Sequence, residues 1–182
     1  MSTTLETPRL DPASLPLGAA DQFERLRGFA VTRTGLLDTG SEERFDCITR
    51  SAAERFDAPF SFLTLLVDDR QYNKSMVGRI DREIPRDSAF CNVTIQTEDG
   101  LIVPDMLDHP SFRTNPYVVG PPHVRFYAGM PLRGPGGWFV GSLCVLNTRP
   151  REFTDADRRA LRRLADRAEL EINNDPAAQV PQ

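Results

Sequence analysis

The stretch FSFLTLLVD at 60–68 constrains the fold more than any other part of the chain. Its apolar side chains run almost without a break, and a strand that is apolar on both sides must be covered on both faces. Asp68, Asp69 and Arg70 form a turn, and QYNKSMVG then reads as a second strand returning beside the first. RFYAGMPLR and WFVGSLCVLN repeat this arrangement around GPGG at 134–137, which reads as a hairpin turn. GLIVPD at 100–105 adds one more short strand. Two hairpins predict an antiparallel sheet, and covering its faces calls for helices.

Those helices are legible near both ends. Phe45, Ile48, Ala52 and Phe56 recur at spacings of three and four, the stripe of an amphipathic helix. Thr39 and Glu42 precede it with the spacing of a capping box, in which each side chain satisfies the other's backbone N–H. Leu161, Leu164, Ala168 and Ile172 make a second stripe, opened by Thr154 and Asp157 in the same capping pattern. Asp21 to Ala30 predicts a shorter helix with Phe23, Leu26 and Phe29 or Ala30 on one side. Ser88 to Gln96 allows one or two helical turns. The resulting class is α+β, with terminal helices on one face of the sheet. The long Pro- and Asn-rich loop from Met106 to Val124 and the short helix lie over the other face, where a pocket would form. The expected organisation is a flexible tail over 1–18, one domain over 19–173 and a second tail over 174–182.

Charge and cysteine usage narrow the function. With 22 basic and 26 acidic residues the net charge is −4, and nucleic-acid binders usually concentrate a basic excess on one face. Arginines 158, 159, 162, 163 and 167 do form a stripe. Asp155, Asp157, Asp166 and Glu169 interleave with them, so a solvated face is expected and nucleic acid is not. No secretory h-region occurs in the first forty residues, and no stretch approaches the roughly 20 apolar residues that span a bilayer. Cys47, Cys91 and Cys144 are widely spaced and form no CxxC, which suits a reducing cytoplasm and no membrane. His109 and His123 lack ligand spacing, so no metal site is expected. GPGG fails as a dinucleotide loop, because Phe139 takes the third glycine's place and a strand follows it.

The chemistry-bearing residues gather in PRDSAFCN and around the long loop. Cys91 reads as a nucleophile, a ligand anchor or a small apolar wall residue. Cys144, between apolar neighbours in its strand, reads as a small hydrophobe, and Cys47 as part of a helix flank. Asp105, Asp108, Phe112, Asn115 and Pro116 shape the loop, and Arg125, Phe126 and Tyr127 begin the next strand. An aromatic hollow with a few polar groups suits a small ligand.

Several strings in order, LLDT at 36–39, LLVDDRQYNKSMVG at 65–78, PRDSAFC at 85–91, VPD at 103–105, DHPSF at 108–112, NP at 115–116, RFYAGMPL at 125–132 and GSLCVLNTRPREFT at 141–154, resemble a GAF domain of the bacterial kind joined to histidine kinases and diguanylate cyclases. The resemblance runs from about Leu36 to Ile172. It implies a ligand pocket in front of the sheet and dimerisation through the terminal helices. Relatives bind cyclic nucleotides, tetrapyrroles, haem or small metabolites. Where cyclic-nucleotide binders carry Asn-Lys and later Asp-Glu, this chain has Asn147-Thr148 and Asp157-Arg158, which speaks against such a ligand. Val93 stands where close relatives have a histidine two residues after the cysteine.

The resemblance therefore implies a non-enzymatic, cytoplasmic sensory module with an unknown small-molecule ligand and no assigned cofactor. It would act as a homodimer or on a signalling protein in trans, since no output domain is recognised in the sequence. Ser88, Cys91, Asn92, Asp105, Asn115, Arg125 and Tyr127 are the residues expected at the pocket, with no catalytic and no metal-binding residue. Arg125 is expected to meet an anionic group of the ligand, or else Asp105 or Asp108. The alternatives are a thiol-dependent reductase like the free methionine-R-sulfoxide reductases of the same fold, for which Cys91 lacks an evident second thiol, and a purely structural dimerisation module.

Overall fold

The computed structural model describes residues 18–174. The expected tails thus lie outside the described residues, apart from Gly18 and Asn174. Six strands form one antiparallel sheet: β1 (Phe60–Val67), β2 (Arg70–Val77), β3 (Glu83–Pro85), β4 (Leu101–Val103), β5 (Phe126–Arg133) and β6 (Phe139–Asn147). Their order is β3-β2-β1-β6-β5-β4, so β1 and β6 sit at the centre. The apolar run of β1 has the expected cause. Leu63, Leu65 and Val67 face one core, while Phe62 and Leu66 face another.

The first core lies under three helices, α1 (Ala19–Arg33), α2 (Glu43–Arg55) and α5 (Asp155–Asn173). Phe45, Ile48 and Ala52 of α2, with Leu161, Ala168 and Ile172 of α5, are buried as their spacing predicts, and Leu164 is half-buried. Thr154 and Asp157 form the predicted capping box at the start of α5. The second core is covered by α3 (Cys91–Thr94), the long loop and α4 (Pro116–Val119) within it. The α+β class is therefore observed, with the terminal helices on one face and short helices and loop on the other.

Two local expectations are corrected. Helix α1 buries Arg27, Ala30 and Val31 and leaves Leu26 and Phe29 exposed at 48% and 58%, so its apolar stripe is rotated from the predicted one. Arg27 can lie inside because its guanidinium is held by Glu24 and donates to the Phe139 carbonyl. The second correction concerns Thr39 and Glu42, which form no capping box; Glu42 is itself the N-cap of α2 and makes no side-chain cap bond. Both residues instead surround Lys74, which is fully buried. The Lys74 ammonium donates to Thr39 Oγ1, the Gly40 carbonyl and Glu42 Oε1. Three donors meet three acceptors, which is what makes burying an ammonium tolerable. A bulge between β1 and β2 makes this possible. Leu63 pairs with Ser75 and Thr64 with Asn73, so Lys74 is the extra residue.

The central pair is unusually close at one point. A Cβ on Gly141 would lie 1.7 Å from the Thr64 carbonyl oxygen, a clash with backbone on the neighbouring strand. Gly28 in α1 has no atom within 4 Å of its would-be Cβ. Gly141→Ala is expected to destabilise the fold by more than about 2 kcal/mol, while Gly28→Ala is expected to be neutral or stabilising by about 0.5 kcal/mol. Urea unfolding of the two variants checks this, and equal midpoints would contradict the close approach.

Candidate functional site

On the pocket face, alternation along each strand decides which side chains meet. Thr64 and Leu66 of β1, Gln71 and Asn73 of β2, Tyr127 of β5, and Ser142, Cys144 and Leu146 of β6 share this side. Of these, Gln71, Tyr127, Cys144 and Leu146 border a cavity of about 20 Å³ together with Phe62, Ile84, Phe90, Cys91 and Tyr117. A cavity needs about 10–15 Å³ to hold one water, so the pocket is closed nearly to that limit. Among the described residues no charged side chain lines it. A trough of about 930 Å³ along the outer face of α1, lined by Asp21, Arg25 and Phe29, is larger but open and shallow, and it lies away from these groups.

The cavity has one polar end. Asn73 Nδ2 donates to the Asp81 carbonyl at 2.8 Å. This leaves Asn73 Oδ1 to accept from Gln71 Nε2 at 2.9 Å. The relay fixes the orientation of the Gln71 amide and leaves Gln71 Oε1 as a buried acceptor without a partner. Gln71 is only 3% exposed, and an unpaired buried carbonyl costs about 1–3 kcal/mol.

At the other end lie two thiols and a phenol. Cys91 Sγ is 3.8 Å from Cys144 Sγ and accepts from the Tyr127 hydroxyl at 3.4 Å. Tyr127 is tied in turn to Thr94 Oγ1 at 2.7 Å. Burial, the largest single influence, pushes the Cys91 thiol up, but hydrogen bonds from Cys144, Ser142, Tyr127 and Thr64 together outweigh it and hold the thiol down at about 7. Cys144 is pushed well up by burial and by its neighbour Cys91. Burial and the two sulfurs push the Tyr127 phenol up as well, so it remains a donor.

Of the seven residues expected at the pocket, Ser88, Cys91 and Tyr127 line the cavity. The other four build its frame. Asn92 Oδ1 accepts from Arg86, which also reaches Glu24 of α1. Asn115 caps α4 through Tyr117 N and donates to the Ser88 carbonyl, clasping the long loop to the turn before Cys91. Asp105 and Arg125 form a two-point ion pair at 2.6 and 2.8 Å, which pins the start of the loop to β5. Arg125 holds the Asp105 carboxyl below its usual range. Arg125 thus meets Asp105, one of the two carboxylates expected as alternatives to an anionic ligand. Two residues that matter were missed. Gln71 was signalled by the polar pair Gln71 and Asn73 two apart on a buried strand. Cys144, expected to be only a small hydrophobe in its strand, borders the cavity and is the second thiol beside Cys91.

Removing the Tyr127 hydroxyl tests this electrostatic arrangement. In Tyr127→Phe, the titration of Cys91 followed by the Cβ shift of labelled cysteine is expected to move upward from its wild-type midpoint near 7. An unmoved midpoint would show that the phenol does not hold the thiolate.

Comparison with known proteins agrees with this architecture. The family model for the GAF domain matches residues 41–172. A cyclic di-GMP phosphodiesterase of Pseudomonas aeruginosa is 38% identical over 128 residues, which is 70% of this chain but only 22% of that protein. Among solved structures, the free methionine-R-sulfoxide reductase of Neisseria meningitidis in complex with its substrate superposes with a TM-score of 0.59 at 18% identity, covering 97% of each chain. The GAF domain of an Acinetobacter phosphoenolpyruvate-protein phosphotransferase gives 0.55 at 16%, covering 81% of this chain and 92% of the other. The two solved structures share the fold. With the family model spanning most of both cores, the chain belongs to the GAF domain family.

Proposed function

We propose that this GAF domain is a non-enzymatic sensory module whose pocket takes a small uncharged ligand bearing an N–H or O–H donor. The observation that carries this reading is Gln71 Oε1, a buried acceptor held in place by Asn73 and Asp81, with no partner among the described residues, on a residue that lines a largely apolar cavity. Phe62, Phe90 and Tyr127 supply flat apolar walls, and the absence of a charged lining residue is a poor match for a phosphate. The ligand enters by parting the half-buried side of the pocket, where Tyr117 of the long loop meets Ile80 and Ser88. Among the described residues no helix is long and apolar enough to cross a membrane.

Such a module passes its state on through the terminal helices. Leu26 and Phe29 on α1 and Leu170 on α5 are exposed apolar side chains on the helix layer, suited to a second copy or to a signalling protein in trans. The Pseudomonas relative is named for a cyclic di-GMP phosphodiesterase, and an output of that class is the partner this reading favours.

A metabolite screen by thermal unfolding tests the ligand. A compound at 100 times its Kd is expected to stabilise the fold by about 2.7 kcal/mol, a rise of several degrees that Gln71→Leu abolishes. No stabilising compound in a screen of donor-bearing metabolites would overturn the reading. The same preparation is expected to be a dimer by light scattering and to turn over no methionine sulfoxide. Turnover that is lost in Cys91→Ser would instead make the domain a thiol-dependent reductase.

A further inference from the structure

The two buried thiols support more than a wall. Cys91 opens α3 and Cys144 lies in β6, 53 residues apart in sequence, with their sulfurs 3.8 Å apart. A disulfide needs about 2.05 Å, so the sulfurs are direct neighbours that must still close by about 1.8 Å to bond. The Cys91 thiol is held down at about 7 while burial and Cys91 itself push its neighbour up, so Cys91 is the sulfur that attacks first, as the thiolate. Both border the cavity of about 20 Å³. That space admits a molecule not much larger than water. Hydrogen peroxide is of that size and fits the pocket as it stands, whereas a larger ligand or a thiol peptide needs its wall to part first.

We propose that Cys91 and Cys144 form a redox-modifiable dithiol, converted to an internal disulfide by a small uncharged peroxide. The Cys91 thiolate attacks one peroxide oxygen, the O–O bond breaks, and the departing hydroxide takes a proton to leave as water. Cys91 is then a sulfenic acid. The Cys144 sulfur attacks the Cys91 sulfur, the S–O bond breaks, and the departing hydroxide takes the Cys144 proton to leave as a second water. Two thiols have lost two protons and two electrons, and one peroxide has become two waters. Tyr127 keeps its O–H on the Cys91 sulfur at the outset and orients it. The product ties α3, one wall of the cavity, to β6 beneath it. Oxidation therefore fixes that wall, and only this consequence rests on the ligand-pocket reading.

Cys47 provides an internal reference. It lies half-buried on α2, packed against the helix-side core, with its thiol on the Arg44 carbonyl. The reduced full chain is treated with stoichiometric hydrogen peroxide at neutral pH, then denatured, alkylated, digested and analysed by mass spectrometry. The expected product is a linked Cys91–Cys144 peptide pair lighter by two hydrogens, with Cys47 alkylated. In Cys144→Ala, dimedone is expected to trap a sulfenic acid on Cys91. The proposal is overturned if all three cysteines remain alkylated, if Cys47 is oxidised first, or if Cys91 goes to sulfinic acid beside a free Cys144. The readout is covalent and needs no ligand, so its failure is distinct from a failure of the metabolite screen, which tests the pocket alone.

Discussion

The contact between the Thr64 carbonyl and Gly141 sets the register of the two central strands, and the pocket depends on that register. Side chains alternate faces along a strand, so a slip of one residue would move every inward group outward. With Thr64 opposite Ser142 and Phe62 opposite Cys144, β6 presents Ser142, Cys144 and Leu146 to the pocket while Val140, Leu143 and Val145 pack beneath the helices. A glycine at 141 lets the strands approach this closely. The same geometry brings Cys144 within reach of Cys91, which arrives from α3 on the far side of the cavity.

Two buried polar arrangements on β2 show how structure and function divide within a few residues. Lys74 is surrounded by Thr39, Gly40 and Glu42, and every ammonium proton has an acceptor. That arrangement is closed, and it holds the segment before α2 against the sheet. Gln71 and Asn73 face the opposite side and make a chain that begins at the Asp81 carbonyl and ends on an unshared oxygen. A closed network stabilises a fold, whereas an open one leaves a cost that a bound donor would remove.

Much of this was legible in the sequence. The two hairpins, the stripes of α2 and α5 and the cap at Thr154 follow from local periodicity and spacing, which depend on neighbouring residues alone. Where long-range partners decide the outcome, the local reading fails. Thr39 and Glu42 have the spacing of a cap, yet a buried lysine from β2 claims both. Leu26 and Phe29 look like core residues, yet Arg27 is drawn inside by Glu24 and the Phe139 carbonyl, which turns the helix. Asn92, Asp105, Asn115 and Arg125 do not line the cavity and serve as fasteners around it, because each finds a protein partner that sequence distance conceals. The polar pair Gln71 and Asn73 is a signal in the sequence, but that Gln71 and Cys144 border one cavity follows only from the sheet register.

Native mass spectrometry of gently purified protein tests most directly whether the open acceptor marks a ligand site. Protein exposed to a cell metabolite extract is expected to carry an added small-molecule mass, and the Gln71→Leu protein is expected to fly without it. Bare polypeptide mass in both proteins, before and after the extract, would contradict the account and reduce Gln71 Oε1 to a carbonyl satisfied by a single water.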